Sequence, residues 1–165
     1  MLPNELLFDG FERVKTAVHK TLEGLSPKDL RRAPTLGANS IGWLIWHLTR
    51  VQDDHIAELA HKGQIWENGW YDKFKLPFAI NETGYGQSPA DVAALKANAD
   101  LLLGYYDTVH ERTIGYIDNL KESDYLKVVD RKWDPPVTQA VRLISILNDD
   151  LQHVGQAAYI RGLLH

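Results

Sequence analysis

Two side chains that could bind a metal ion stand four residues apart near the carboxyl-terminal end of the chain. On an α-helix, Asp149 and His153 would leave the same face one turn apart. Arg142 and Gln156 fall on that face as well, and together the four residues cover an arc of roughly 60°. The segment could therefore present a carboxylate, an imidazole, a guanidinium and an amide to one binding site.

The apolar residues of the same segment indicate that this face is turned inward. Ile146 and Ile160 point in the same direction as Asp149 and His153. The far side of the helix is also apolar, and its residues are Ile144, Leu147, Leu151, Val154 and Ala158. A helix that is apolar nearly all round is expected at the centre of its domain. Since a buried carboxylate and imidazole are costly without partners, we favour a bound metal ion.

A third candidate ligand, His47, lies on another predicted helix, between Leu44 and Val51. Two ligands from one helix and one from a neighbouring helix leave coordination positions open, which is the pattern of a catalytic site. A divalent ion there would lower the pKa of a bound water or substrate thiol. Zinc or nickel would suit this site, and two histidines with one carboxylate would also suit non-haem iron(II).

Other roles for these residues remain open, and spacing alone favours a structural one. Asp149 could pair with Arg142, and His153 could be a hydrogen-bonded core histidine. Asp150 points about 100° away from Asp149, so we expect it in solvent or paired with Arg161. Three further histidines have no polar constellation around them and are expected at the surface: His61, His110 and His165.

Apolar stripes at helical spacing predict an all-α four-helix bundle that occupies residues 1–165 as one domain. The predicted helices span residues 4–24, 40–62, 88–120 and 138–164. Ser40, Ser88 and Thr138 are suitable amino-terminal caps for the last three of them. A further short helical turn is expected after Ser26, and the sequence predicts no strand.

The segment Gly63–Gln87 has no helical period and is rich in aromatic residues and glycines. Loops of this length are uncommon in compact domains and are often functional. Its rings could simply cover one end of the bundle, or they could form the wall or the lid of a pocket. We predict that at least two of four rings line a cavity next to His47, namely Trp66, Trp70, Tyr71 and Phe74.

The overall composition excludes several other classes of protein. The chain has 165 residues, 44% of them hydrophobic, and a net charge of −4. Its lysines and arginines are scattered, so nothing points to nucleic acid. Because there is no cysteine, disulfides, thiolate metal sites and a cysteine nucleophile are excluded. The amino terminus does not resemble a signal peptide and no run is long enough to span a membrane, so we expect a cytoplasmic protein.

Two motifs resemble the DinB/YfiT-like superfamily, which includes thiol S-transferases and the metal-binding domain of mycothiol-dependent maleylpyruvate isomerase. They are SIGWLIWHLTRVQDDH (Ser40–His55) and DDLQHVGQAAYIRG (Asp149–Gly162). The resemblance implies a four-helix bundle with a divalent metal held by one histidine of the second helix and two of the fourth. These positions correspond to His47, His153 and Asp149, where aspartate replaces the second histidine of the fourth helix.

The same resemblance implies an enzyme in which the metal activates a low-molecular-weight thiol for transfer to an electrophilic small molecule. A related isomerase or hydrolase activity and a homodimer are further implications. Two alternatives remain open at this point. One is a non-catalytic, metal-free bundle with a stress-associated or ligand-binding role, and the other is an iron protein with a two-histidine, one-carboxylate site.

Overall fold

A computed structural model describes residues 2–164 and confirms the predicted all-α bundle of four long helices. The helices are α1 (Pro3–Leu22), α2 (Pro27–Leu30), α3 (Ile41–Ala60), α4 (Tyr71–Phe74), α5 (Pro89–Ala94), α6 (Ala99–Asp118) and α7 (Gln139–Gly162). Irregular helical turns occupy Trp66–Trp70 and Glu122–Leu126, and the strands are β1 (Val128–Asp130) and β2 (Val137–Thr138). Among residues 2–164, no helix is long and apolar enough to cross a membrane.

The helices α3 and α7 run in opposite directions. His47 meets His153, whereas His55, two turns further along α3, meets Arg142 near the start of α7. The candidate ligands of the two helices therefore come from facing positions in the middle of the bundle. This pair of helices is the one that positions the site.

The helices α3 and α6 run in the same direction, since Arg50 bonds Tyr105 and Gln52 bonds Thr113 further along both. Two consecutive long helices that are parallel require a crossover along the whole bundle. The segment Gly63–Gln87 is part of this crossover. The crossover explains the length of the segment without assigning it the role of a lid over a pocket. The order of the four long helices is up, down, down, up, because α1 is antiparallel to α6 and parallel to α7.

The predicted third helix over residues 88–120 is wrong as a single element. The structure has α5 and α6 instead, and Leu95 leaves the helical conformation between them with ψ 110°. Asn98 then caps α6, because its side chain accepts the N–H of Leu101 at 2.8 Å. The apolar stripe continues across the break, since Leu95 is buried, and this hid the interruption from periodicity.

The prediction from the sequence that the chain has no strand is also wrong, although only on a small scale. Val128 pairs with Thr138 and Asp130 pairs with Val137 in a two-stranded antiparallel sheet. Strand β2 leads directly into α7, whose first turn is capped by the Thr138 hydroxyl. The pair fixes where α7 begins.

The expectation that α7 lies at the centre of the domain, because it is apolar nearly all round, is wrong. Ile146 and Ile160 are buried as predicted, with 0% and 5% exposure. On the opposite side, Ile144 and Leu151 are 54% and 49% exposed. This helix therefore has an outer face, like the other helices of a bundle.

The histidines expected at the surface behave differently from one another. His61 is exposed and His165 lies outside the described residues, but His110 is only 2% exposed. Its Nε2 lies 2.8 Å from a Glu12 carboxylate oxygen, and its ring stacks on Tyr106. Burial lowers the pKa of His110, although the Glu12 carboxylate opposes this effect.

This burial predicts how acid affects stability. Since the folded state binds the His110 proton more weakly than the unfolded chain, the stabilisation from neutral His110 is complete above about pH 6.5 and is lost below it. Urea unfolding between pH 7 and pH 5 should show a steeper loss of stability in the wild type than in His110→Gln. The difference should not exceed about 1.4 kcal/mol per pH unit. Parallel curves would show that His110 titrates normally in the folded state.

Candidate metal centre

Helix α7 presents two of the three predicted ligands. The Nε2 atom of His153 lies 3.5 Å from Oδ1 of Asp149, as the four-residue spacing predicts. Both side chains are about one-fifth exposed, so the pair lies at the edge of the core. His153 Nδ1 is 3.0 Å from the Gln156 amide oxygen, which can accept its proton. That bond leaves His153 Nε2 facing Asp149.

Helix α3 presents the third ligand in a more enclosed place. His47 is 3% exposed, and its Nδ1 lies 2.5 Å from the carbonyl oxygen of Thr83. Because a carbonyl only accepts, Nδ1 carries the proton and Nε2 has the free lone pair that a metal requires. Trp43 stacks on the same ring with centroids 4.6 Å apart. The ring is therefore fixed in both tautomer and orientation.

The three predicted residues converge on one point. One ligand atom from each of His47, Asp149 and His153 lies within 4.8 Å of the other two. The His47 and His153 rings meet edge to face at 4.9 Å between centroids. Oδ2 of Asp149 is buried and has no hydrogen-bond partner among residues 2–164. A carboxylate oxygen without a partner beside two imidazoles fits a divalent cation, which would satisfy all three groups.

The electrostatics of the two histidines differ. The Asp149 carboxylate is the main cause that raises the pKa of His153, and the Gln156 side chain adds to it. Burial is the main cause that lowers the pKa of His47, against the Thr83 carbonyl and Asp149. His47 is therefore neutral and ready to bind a metal, whereas His153 would exchange its proton for the ion.

The alternative in which Asp149 pairs with Arg142 is wrong. Arg142 donates to Asp130 of β1 at 3.0 Å and approaches His55 Nδ1 at 3.0 Å. The bond to Asp130, in the small sheet that precedes α7, holds this guanidinium away from Asp149. The only salt-bridge partner of Asp149 within residues 2–164 is therefore His153.

The expectation for Asp150 is wrong as well. It has 0% exposure, and both carboxyl oxygens lack a hydrogen-bond partner within the described part of the chain. Arg161, its expected partner, instead donates to the backbone carbonyls of Lys20 and Thr21 on α1. Burial raises the pKa of Asp150 well above its usual range, and the nearby Asp149 adds to this effect. Asp150 is therefore a core carboxyl whose environment favours its neutral form.

The prediction that at least two of the four named rings of Gly63–Gln87 line a cavity next to His47 is wrong. Trp66 and Phe74 are 1% and 3% exposed and pack against Tyr105 in the core. Trp70 also rests on Tyr105. The Tyr71 hydroxyl donates to the carbonyl of Phe78 within the same segment. These rings fill the space between the crossover and α6 rather than a cavity next to His47.

The same segment nevertheless reaches the site through three residues that the sequence did not single out. Thr83 supplies the carbonyl, and the Tyr85 ring meets His47 edge to face at 5.0 Å. Between them, Gly84 has φ +107°, and a Cβ there would lie 2.6 Å from His47 Nδ1. The Gly84-Tyr85-Gly86 run was the one visible signal, because glycines around an aromatic residue indicate a constrained turn.

Four helices in up-down-down-up order, with facing histidines on α3 and α7, define a DinB-like helical bundle. The chain belongs to the mycothiol-S-transferase family, whose family profile matches residues 6–165. Among solved structures, the chain is similar to a conserved protein of locus from Enterococcus faecalis, with a TM-score of 0.92 and 31% identity. That match covers 99% of this chain and 98% of the other. No curated protein matches the sequence.

Proposed function

We propose that the protein is a divalent-metal-dependent transferase that activates a low-molecular-weight thiol for transfer to an electrophilic small molecule. The observation that carries this proposal is the convergence of His47, Asp149 and His153 within 4.8 Å of one another. Membership of the mycothiol-S-transferase family supports the thiol as one substrate. The chain contains no cysteine, so a nucleophilic sulfur must come from a substrate.

The residues of the site have separate tasks in this proposal. His47 and His153 would hold the ion through Nε2, because Thr83 and Gln156 occupy the two Nδ1 positions. Asp149 would supply a carboxylate oxygen and reduce the positive charge of the site. Three protein ligands leave room for a substrate, and a divalent ion lowers the pKa of a thiol that binds to it. A thiolate is a far stronger nucleophile than a thiol.

The donor set decides which metals are compatible. Two imidazole nitrogens and one carboxylate oxygen suit zinc or nickel, which we favour for a thiol substrate. The same set is found in non-haem iron(II) oxygenases, so an iron protein is the second candidate. A metal-free structural bundle is less favoured, since the buried Oδ2 of Asp149 has no hydrogen-bond partner among residues 2–164.

Metal analysis of untagged protein, followed by a transfer assay, tests the proposal. We expect one zinc or nickel ion per chain and formation of a thioether when mycothiol displaces chloride from monochlorobimane. Removal of the metal with a chelator should abolish this rate, and zinc or nickel should restore it. Stoichiometric iron with oxygen consumption would support the second candidate instead. Folded protein that binds no added metal would overturn both metal proposals.

A further inference from the structure

Helix α3 carries a buried ion pair one turn beyond His47. Arg50 and Asp53 are both fully buried, and Nη1 of Arg50 lies 3.7 Å from Oδ2 of Asp53. Removing two such charges from water costs several kcal/mol per ion, so a buried pair is weak support for stability as such. It can, however, select one arrangement of the chain, provided that its remaining donors and acceptors are used. Its partners therefore indicate its role.

The guanidinium of Arg50 binds the crossover at three points. Its Nε donates to the carbonyl of Glu82 at 3.2 Å, and its Nη2 donates to the carbonyl of Ile80 at 3.4 Å. Its Nη1 donates to the side-chain oxygen of Gln64 at 2.8 Å. The guanidinium also lies over the Trp66 ring at 4.9 Å from its centroid. One side chain thus holds both the start and the end of Gly63–Gln87.

Asp53 holds the start of the same segment more firmly. Its two carboxylate oxygens accept the backbone N–H groups of Ile65 and Trp66 at 2.9 and 2.8 Å. The Tyr105 hydroxyl donates to Asp53 at 2.8 Å and also accepts from Arg50. The pair and its tyrosine partner therefore form a buried clamp in which each side-chain nitrogen and oxygen has at least one hydrogen-bond partner.

The clamp lies directly next to the residues that contact His47. Glu82, whose carbonyl binds Arg50, is followed by Thr83, whose carbonyl binds His47 Nδ1. Trp43, His47 and Arg50 lie on one face of α3 and all contact the stretch from Ile80 to Gln87. A shift of the Glu82 carbonyl would therefore move the Thr83 carbonyl with it.

We propose that Arg50 is a positioning residue for the metal centre, which it supports by holding the Thr83 carbonyl against His47. This inference rests on the proposed function, because it assigns a role toward the metal that His47 would bind. Loss of the guanidinium would free Ile80–Glu82 and release the His47 ring from its tautomer and orientation. The Thr83 carbonyl is the partner one step removed from the metal, and losing such a partner of a ligand typically costs 10–100-fold in metal affinity.

Zinc affinity measured by competition with a chromophoric chelator tests the proposal, with Gln52→Leu as the matched control. Gln52 is also fully buried on α3, but it bonds Thr113 of α6 and not the crossover. Arg50→Gln should weaken zinc binding at least tenfold, whereas Gln52→Leu should stay within about threefold of the wild type. Arg50→Lys keeps the charge beside Asp53 and serves as the test variant if Arg50→Gln does not fold.

A second measurement in metal-free protein separates this inference from the proposed function. The His47 Nδ1 proton should appear as a slowly exchanging imidazole signal in the wild type and in Gln52→Leu. It should be lost in the folded Arg50 variant. If the wild type binds no zinc, only the metal proposal fails. The imidazole signal then still tests whether Arg50 holds the His47 ring in place. A folded Arg50 variant that keeps the signal, or that binds zinc as tightly as the wild type, would overturn the inference.

Discussion

His153→Ala is expected to remove zinc from the protein and to abolish thiol transfer while the bundle stays folded. His153 would be a direct ligand, and losing even a residue behind a ligand costs 10–100-fold in affinity, so the loss should exceed about 100-fold. The His153 side chain is only partly buried and lies at the edge of the core. Its truncation therefore leaves the core intact. Equilibrium zinc titration and the rate of thioether formation measure the two effects.

The matched control for this experiment is His61→Ala. His61 is an exposed histidine at the end of α3, and it lies outside the convergent group. This variant should bind zinc and transfer thiol like the wild type. The double variant His47→Ala/His153→Ala is the strictest test. If it retained wild-type affinity for zinc and nickel, the three residues could not be the metal site.

The candidate ligands of α7 could be predicted because a helix fixes the relation between them. Asp149 and His153 lie on one face whatever surrounds the helix, since four residues make slightly more than one turn. The amino-terminal ends of α3 and α7 could be predicted for a similar reason. The hydroxyls of Ser40 and Thr138 accept the N–H groups three residues later, which is a purely local interaction.

The position of α7 in the bundle could not be derived in the same way. Ile146 and Ile160 showed that the face of Asp149 points inward, but they did not show where the centre of that inward side lies. The buried set also includes Leu143 and Ala157, which lie closer to the direction of Asp150. Consequently Asp150 enters the core, and Asp149 lies at the edge where α7 meets α3. The apolar pattern of one helix does not show which neighbouring helix covers each part of its surface.

The role of the crossover was hidden for a different reason. Thr83 acts through its carbonyl, and Ile65 and Trp66 bind Asp53 through their N–H groups. Since almost every residue carries these backbone groups, no side-chain type reports such contacts in a sequence. The aromatic residues of the segment were visible, but Trp66 serves the core. Only Gly84 was a signal of this role in the sequence, because its backbone conformation excludes other residues.

Gly84→Ala is expected to disrupt the metal centre more than any other single change in the crossover. The new Cβ would lie 2.6 Å from His47 Nδ1 and 2.9 Å from a ring carbon of Trp43, closer than real Cβ contacts. Since both rings belong to α3, the turn itself must move, and the Thr83 carbonyl would leave His47. We expect zinc affinity to fall at least tenfold. The free energy of unfolding should fall by about 1–3 kcal/mol, because alanine is strained at φ +107°.

Gly86→Ala separates the collision with His47 from backbone strain in the same turn. Gly86 also has a positive φ of +74°, but a Cβ there would have no atom among the described residues within 4 Å. This variant should therefore lose a similar amount of stability and keep its zinc affinity. Equal zinc affinities in Gly84→Ala and the wild type would show that the turn does not hold His47 in a metal-binding position. Equal losses of affinity in both glycine variants would show that strain, and not contact with the His47 ring, links the turn to the site.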